Sequence, residues 1–308
     1  MRTLLLAVVV VLATVMAADL FAPHTVAPLL LRLERARAGL TTEHVTVDGI
    51  DVTYTTGGTG EPLILVHGFG ADKDHFTRLA GWLTPYVRVF VPDLLGFGDS
   101  PRPTDASYAP ADQAERVRAF AHALGLGRVH LGGNSMGGFI VTDYALAHPD
   151  EVASLWLLAP AGTALAFDSD LARTMAASGS NPLLVRTTDD FARTMDFVMA
   201  RQPFAPSSVV RVLAERAAAD YPLHARIFEA IGPGHVPTID ARLKELGMPT
   251  LVVWGSEDRA LNPAAASVYA TAMPKAQVVR LDGVGHLPML EAPKETAEAY
   301  LKFRGLGS

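Results

Sequence analysis

Three residues of this chain have the types and order needed to move an acyl group: Ser135, Asp258 and His286. Ser135 sits in Gly133-Asn134-Ser135-Met136-Gly137, the form G-x-S-x-G. Arg128 to Gly132 reads as a short buried strand, and Met136 to His148 as a helix closed by Pro149. A serine at that junction occupies a strained strand-to-helix turn, with glycines two before and two after it relieving crowding. Its hydroxyl then stands over a helix N-terminus, where free N–H groups and the dipole favour negative charge. Attack on a carbonyl creates an oxyanion beside the serine, so a nucleophile needs that setting.

A serine also needs a base, and a neutral imidazole suits pH 7. The imidazole in turn needs a carboxylate to fix its tautomer. His286 follows an apolar run in Gly283-Val284-Gly285-His286, and Asp258 follows another in Trp254-Gly255-Ser256-Glu257-Asp258-Arg259. Glu257 is the alternative acid. Asp282 lies too near His286 in sequence to orient it. Two backbone N–H groups should form the oxyanion hole, one from Met136 and one from Phe69 in the loop His67-Gly68-Phe69-Gly70. The Phe69 side chain is also expected to line the substrate pocket. His67, His130 and His148 read as hydrogen-bonded structural residues, and Asp93 as a residue that fixes its loop. Asp72-Lys73-Asp74-His75 reads as a solvated helix start, with a pocket-entrance role as the other possibility.

The elements that must position these residues alternate. A hairpin is expected from His44–Asp48 and Asp51–Thr55 across Gly49-Ile50. Apolar runs Pro62–His67, Val87–Asp93 and Val152–Leu158 join the Ser135 strand, with helices at Asp74–Thr84, Ala109–Leu124 and Met136–His148. Apolar strands alternating with helices mean a mostly parallel sheet covered on both faces. Ligands bind beyond the carboxyl ends of such strands, which gathers the polar loops around one site. From Gly162 to Gly247 the pattern is helical and punctuated by proline, with helices over Asp168–Ala177, Thr188–Ala200, Pro206–Ala219 and Leu223–Ile231. Met175, Met195 and Met199 there read as helix packing, with part available to a greasy substrate. Strands return at Pro249–Trp254 and Ala276–Leu281, and a last helix covers about Pro293–Phe303. The expected organisation is an α/β core over 41–161 and 248–308, interrupted by a helical cap over 162–247.

Composition bounds the function. The 308 residues are 49% hydrophobic and 19% charged, with a net charge of −6 and no Lys/Arg run, which makes nucleic acid a poor partner. The chain has no cysteine, so thiolate metal sites, a Cys nucleophile and disulfides are excluded. No metal is expected. Residues 1–22 differ in kind. Thr3–Ala18 is uncharged and almost wholly aliphatic behind Arg2. As a helix it would span about 24 Å, short of a roughly 30 Å hydrocarbon core. It reads as a membrane anchor extended by Leu20-Phe21-Ala22, as a cleaved signal segment that would leave a secreted or periplasmic protein, or as a buried helix. Residues 23–40 read as an amphipathic helix with Leu29, Leu30, Leu33, Ala36 and Leu40 on one face, and Gly39 able to end it. That is the pattern of a helix lying on a membrane surface or packed on the domain. No feature of the sequence sets an oligomeric state.

With these residues assembled, the chain resembles the α/β-hydrolase superfamily from about Leu40 to Phe303, in the chain order Ser…Asp…His. Four strings narrow the resemblance: HGFGADKDHF at 67–76, GNSMGGF at 133–139, WGSEDR at 254–259 and GVGHLPMLEAP at 283–293. They are similar to bacterial membrane-associated lipases and esterases often called family V, and to animal monoacylglycerol lipases that carry an N-terminal anchor. The resemblance implies hydrolysis of carboxylic or acylglycerol esters without a cofactor, with nucleophile, acid and base on Ser135, Asp258 and His286, and a helical cap over the site. Two other readings stand beside it. One is a carbon–carbon bond hydrolase of ring-cleavage products, although Leu287 stands where that class tends to carry an aromatic residue. The other is a catalytically silent hydrolase fold, although such chains usually lose one of the three residues. Relatives that use an Asp nucleophile are excluded by Ser135.

Overall fold

The computed structural model describes residues 19–232 and 235–307. The apolar segment Thr3–Ala18 lies outside the described residues, as do Pro233, Gly234 and Ser308. The frame is an eight-stranded sheet: β1 (Leu40–Val47), β2 (Ile50–Gly57), β3 (Pro62–Val66), β4 (Arg88–Pro92), β5 (Val129–Asn134), β6 (Val152–Leu158), β7 (Thr250–Gly255) and β8 (Ala276–Leu281). Its order is β1-β2-β4-β3-β5-β6-β7-β8. The first two pairings are antiparallel and the rest parallel. This is the α/β-hydrolase fold that the resemblance implied.

Each central strand is apolar along its length because helices cover both sides. Leu63, Ile64, Leu65 and Val66 of β3 are fully buried, as are Leu155, Trp156, Leu157 and Leu158 of β6. One face is packed by α3 (Pro110–Ala123), α4 (Met136–Ala147) and α10 (Ala266–Ala272), and the other by α2 (Thr77–Leu83), the short α11 (Pro288–Glu291) and α12 (Pro293–Arg304). On the second face Trp156 stacks on Tyr300 with ring centroids 4.3 Å apart. The β1–β2 hairpin turns at Asp48-Gly49, one residue earlier than expected. Both residues have positive φ, 50° and 79°, the pair that a twist-matched two-residue turn needs. Helix α10 carried no signal of its own, although a right-handed parallel crossover between β7 and β8 requires such an element.

Between β6 and β7 the chain forms α5 (Ala164–Phe167), α6 (Asp170–Ser178), α7 (Thr188–Val198), α8 (Ser207–Ala219), α9 (Tyr221–Ile231) and a 3-10 turn over Asp240–Glu245. Ion pairs tie this helical stretch to the core. Arg102 grips both carboxylate oxygens of Asp220 at 2.8 and 2.9 Å, and Arg216 donates to Asp99 at 2.8 Å.

Helix α1 (Pro23–Arg37) packs against α8. Gly39, at φ 70°, ends it as its position suggests, but Leu40 is buried in β1 instead of sharing the helical face. Pro23 and Ala27 face the protein, whereas Leu29 and Leu33 are about half exposed. Asp19, just before α1, accepts from the backbone and hydroxyls of Ser207 and Ser208, and so caps α8 from outside its own chain segment. Among the described residues no helix is long and apolar enough to cross a membrane.

Candidate active site

Ser135 joins β5 to α4 at φ 54° and ψ −118°, a backbone conformation that only glycine adopts freely. The glycines around it are demanded by close approach. A Cβ on Gly133 would lie 2.3 Å from the Gly137 carbonyl oxygen, and one on Gly137 would lie 2.1 Å from that of Val66. The turn is locked from below by Ser135 N–H donating to Leu158 O at 3.1 Å, and by Ala161 and Phe139 N–H donating to Ser135 O at 3.0 and 3.1 Å.

The loop after β3 lies directly against this elbow: a Cβ on Gly68 would sit 3.2 Å from that of Ser135. Two buried residues hold the loop. His67, fully buried, accepts Leu94 N–H on Nε2 at 3.1 Å, so its proton is on Nδ1 and donates to Gly68 O at 2.8 Å. Burial pushes its pKa down to about 4, which keeps the ring neutral. Lys73 is 1% exposed and donates to Asp93 at 2.8 Å and Asp99 at 2.6 Å. Burial alone would lower its pKa, but the surrounding carboxylates of Asp93 and Asp72 outweigh that and hold the ammonium charged. Asp93 also receives the amides of Lys73 and Asp99, both at 2.7 Å. It fixes its loop, as expected. The 72–75 run is not a solvated helix start: Asp72 and Lys73 are buried, and the segment is a capped 3-10 turn under the loop. Among the described residues neither Phe69 N–H nor Met136 N–H has a hydrogen-bond acceptor. Unpaired donors of this kind are what a developing oxyanion requires.

Across the site, Asp258 is buried and its Oδ2 accepts from His286 Nδ1 at 2.8 Å. A carboxylate can only accept there, so Nδ1 carries the proton and Nε2 is free to act as a base. The same Oδ2 takes Trp254 Nε1–H at 2.8 Å, and Oδ1 takes the amides of Ala260 and Leu261 at 2.9 and 3.0 Å. Glu257, the alternative acid, is exposed, and among the described residues its carboxylate meets only Ser256 Oγ, at 3.4 Å. The histidine loop presses on the acid loop, since a Cβ on Gly255 would lie 2.2 Å from the Val284 and Gly285 carbonyl oxygens. Ser135 Oγ makes no hydrogen bond to His286 in this structure, but both side chains line one cavity.

Ser135 lies between two cavities. The larger, about 260 Å³, is lined by apolar side chains including Phe69, Phe167, Met175 and Phe228, with Ser169 its one other polar side chain among the described residues. The smaller, about 70 Å³, contains His286 and also borders His75, Thr194 and His224. Phe69 reaches both, and packs edge-on to Phe97 and Phe228 with centroids 6.0 and 5.4 Å apart. Among the described residues no group of three or more His, Asp or Glu side chains is placed to hold a metal ion.

This sheet, elbow and charge arrangement define a class: the chain belongs to the α/β-hydrolase fold family, whose sequence model matches residues 61–293. It is a hydrolase enzyme of the lipase/esterase type. It is 38% identical over 283 residues to Lipase 1 of Psychrobacter immobilis, covering 90% of this chain and 88% of that protein. It is 26% identical over 258 residues to monoacylglycerol lipase abhd6-B of Xenopus laevis, covering 80% and 76%. A crystal structure of a membrane phospholipase A, a bacterial virulence factor, superposes with a TM-score of 0.89 at 41% identity, covering 99% of this chain and 98% of that one.

Several residues that shape the site were not singled out by their sequence positions. Asn134 bridges the Leu158 and His286 carbonyls at 3.0 and 3.2 Å. Glu291 accepts the amides of Gly285 and Leu287 at 2.9 and 3.1 Å, and of Ala200 and Arg201 at 2.8 and 3.0 Å, and so joins the His286 loop to the end of α7. Its only sequence signal is a carboxylate five residues after His286.

Proposed function

We propose that this protein is a serine-dependent carboxylic-ester hydrolase that acts on glycerolipid esters of medium or long acyl chains through an acyl-enzyme. The observation that carries the reading is the Asp258–His286 hydrogen bond, on the far side of the imidazole from a cavity that also holds Ser135. In this mechanism His286 Nε2 takes the Ser135 proton as Oγ attacks the ester carbonyl. Phe69 and Met136 N–H hold the oxyanion. His286 then protonates the leaving alcohol, and in the second half it activates water to release the acid. The imidazolium formed each time is stabilised by Asp258, whose charge is in turn held by Trp254 and two amides. The 260 Å³ apolar cavity suits the acyl chain, and approaches the lower end of the roughly 300–1,000 Å³ typical of small-molecule pockets. Relatives named as lipases and a phospholipase support an acylglycerol or phospholipid ester as the substrate.

A lipid surface is the proposed partner. Phe21, Leu29 and Leu33 of the N-terminal helical region are exposed, and Phe204, 85% exposed, is held beside α1 by Arg78, which pairs with Glu34 and donates to the Phe204 carbonyl. Exposed apolar side chains of this kind suit a helix lying in a membrane interface.

The test is the rate of hydrolysis across an ester series from short to long acyl chains, with Ser135→Ala alongside. The expected result is a maximum at medium or long chains, and a fall in kcat of roughly 10³-fold or more in the variant. A maximum at acetate or butyrate would replace lipid esters by small ones. A loss under tenfold in the variant would remove Ser135 as the nucleophile.

A further inference from the structure

The reaction divides the site at Ser135. His286 must hand its proton to the leaving oxygen, so the alcohol half of the ester lies on the His286 side and the acyl half on the other. The cavity of about 70 Å³ that contains His286 then takes the alcohol, and the apolar one of about 260 Å³ takes the acyl chain. Among the described residues, three line both cavities: Phe69, Ser135 and Leu183. Phe69 comes from the loop after β3, and Leu183 from the helical stretch between β6 and β7. The boundary is therefore the serine itself with one apolar side chain from the core and one from the helices.

Neither apolar side chain is loosely held. Phe69 rests against three rings, those of Phe97, His224 and Phe228, with centroids 6.0, 5.5 and 5.4 Å away. Leu183 stands at the centre of a tight turn closed by Leu184 N–H donating to Asn181 O at 3.1 Å. Asn181 starts that turn, and its Oδ1 also takes Leu183 N–H at 2.9 Å. Pro182 precedes the leucine with a φ fixed by its ring. Its carbonyl accepts from the hydroxyl of Thr194, a buried residue of α7, at 2.7 Å. The turn is thus fastened within itself and to a helix. The Leu183 side chain packs against the apolar cluster to which Leu171, Phe197 and Val198 belong.

A throat at the nucleophile is felt by the atoms bonded to the reacting carbon, and not by those further along the chain. As Ser135 Oγ adds, the ester carbon becomes tetrahedral. Its four attachments are then Oγ, the oxyanion, the leaving oxygen and the acyl α carbon. The leaving oxygen goes toward His286 and the α carbon toward the apolar cavity, so the α carbon passes the boundary beside Phe69 and Leu183. We propose that Leu183, together with Phe69, selects esters of acids that are unbranched at the α carbon, whatever the length of the chain beyond it. This rests on the ester-hydrolase reading above and adds the shape of the acid to it. A methylene fits such a throat, whereas a carbon bearing two methyl groups meets walls held from behind. A misfit of one methyl group against an apolar wall is worth about tenfold or more in discrimination.

The experiment compares kcat/KM for ethyl octanoate and for ethyl 2,2-dimethyloctanoate, which is achiral, in the wild type and in Leu183→Ala, Leu183→Phe and Met175→Ala. The intrinsic slowness of the hindered ester cancels when the ratio of the two is compared between proteins. Met175 lines the acyl cavity and not the boundary, so its variant controls for a general loosening of the helices. The expected result is that the straight-to-branched ratio falls about tenfold or more in L183A, rises in L183F and stays within about twofold in M175A. If L183A fails to fold, L183F carries the comparison, because it acts in the opposite direction. An unchanged ratio in a folded Leu183 variant, or an equal fall in L183A and M175A, overturns the selecting role of Leu183. If the wild-type ratio is no larger than that of alkaline hydrolysis of the same two esters, the throat excludes nothing and the proposal falls, while the ester-hydrolase reading stands. If the wild type cleaves neither ester, both fall.

Discussion

Asn134 Nδ2 donates to the main-chain carbonyl of His286 at 3.2 Å, so the residue next to Ser135 holds the backbone of the proposed base from the centre of the sheet. The same amide reaches Leu158 O, which also receives Ser135 N–H. One buried side chain thus ties together the strand that carries the serine, its neighbour, and the histidine loop. Its Oδ1 lies where a Cβ on Gly68 would come within 3.0 Å, which brings the oxyanion loop into the same contact.

Removing that tie should cost rate more than binding. Asn134→Ala leaves the His286 carbonyl without its donor while Leu158 O keeps Ser135 N–H. The expected outcome is a loss of about 1–3 kcal/mol in urea unfolding. With it should come a fall in kcat of roughly ten- to hundredfold, because small misplacements of a catalytic group are expensive. KM should move less than threefold. Steady-state kinetics on a soluble ester decide it: an unchanged kcat in a folded variant removes the positioning role.

Two adjacent carboxylates give a sharp contrast. Asp258 is buried and meets His286, Trp254 and two amides, whereas Glu257 is exposed. Asp258→Asn presents an amide that no longer fixes the Nδ1–H tautomer, and kcat should fall by about 10³- to 10⁴-fold. Glu257→Gln should change it less than twofold. The reverse ranking would transfer the acid role to Glu257.

The strands, the elbow and the residue order were legible because each rests on local pattern: apolar runs, G-x-S-x-G, and polar loops after strands. What was not legible is what many-residue contacts decide. Asp72-Lys73-Asp74-His75 has the composition of a solvated helix start, and only the fold brings Asp93 and Asp99 around Lys73 and buries it. Leu40 fits a helical face by spacing, yet Gly39 turns the chain first and β1 takes it. Which side of α1 packs was left open by the sequence, since an apolar stripe serves a membrane surface and a packed helix alike. Pro23 and Ala27 are the buried residues of α1, and Leu29 and Leu33 of the stripe are left about half exposed. His224 gave no signal at all, since it borders the site only once α9 lies over the loop after β3.

His67 makes a prediction in pH. Its pKa is near 4 in the folded protein, against an ordinary 6.5. Between those values the unfolded chain binds a proton that the native state does not, so stability rises with pH there. The contribution is complete above about pH 6.5 and is lost as pH falls toward 4. It amounts to about 3 kcal/mol. His67→Gln keeps an acceptor for Leu94 N–H but no titrating group. Urea unfolding at pH 7.5 and 4.5 should show the wild type losing about 2.5 kcal/mol more than the variant, since at pH 4.5 the loss is not yet complete. His130, pushed down to about 4 by burial, contributes in the same direction to both proteins and cancels in the difference.

Ser135 itself should be replaceable by a residue that makes the protein more stable and inactive. At φ 54° and ψ −118° an L side chain is strained, a cost of order 1–3 kcal/mol. Ser135→Ala removes the hydroxyl and keeps the strain. Ser135→Gly removes both, at the expense of about 0.5–1 kcal/mol of extra unfolded-state entropy. Both variants should lose roughly 10³-fold or more in kcat. The glycine variant should nevertheless exceed the alanine variant by about 1 kcal/mol, a rise in Tm of about 2 °C for a chain of this size. Scanning calorimetry of the pair separates strain from chemistry: equal melting points would mean that the elbow stores no strain at this residue, and surviving hydrolysis in either variant would mean that the nucleophile lies elsewhere. The combination of higher stability with lost activity is expected only where the backbone is bent for the sake of the hydroxyl it presents.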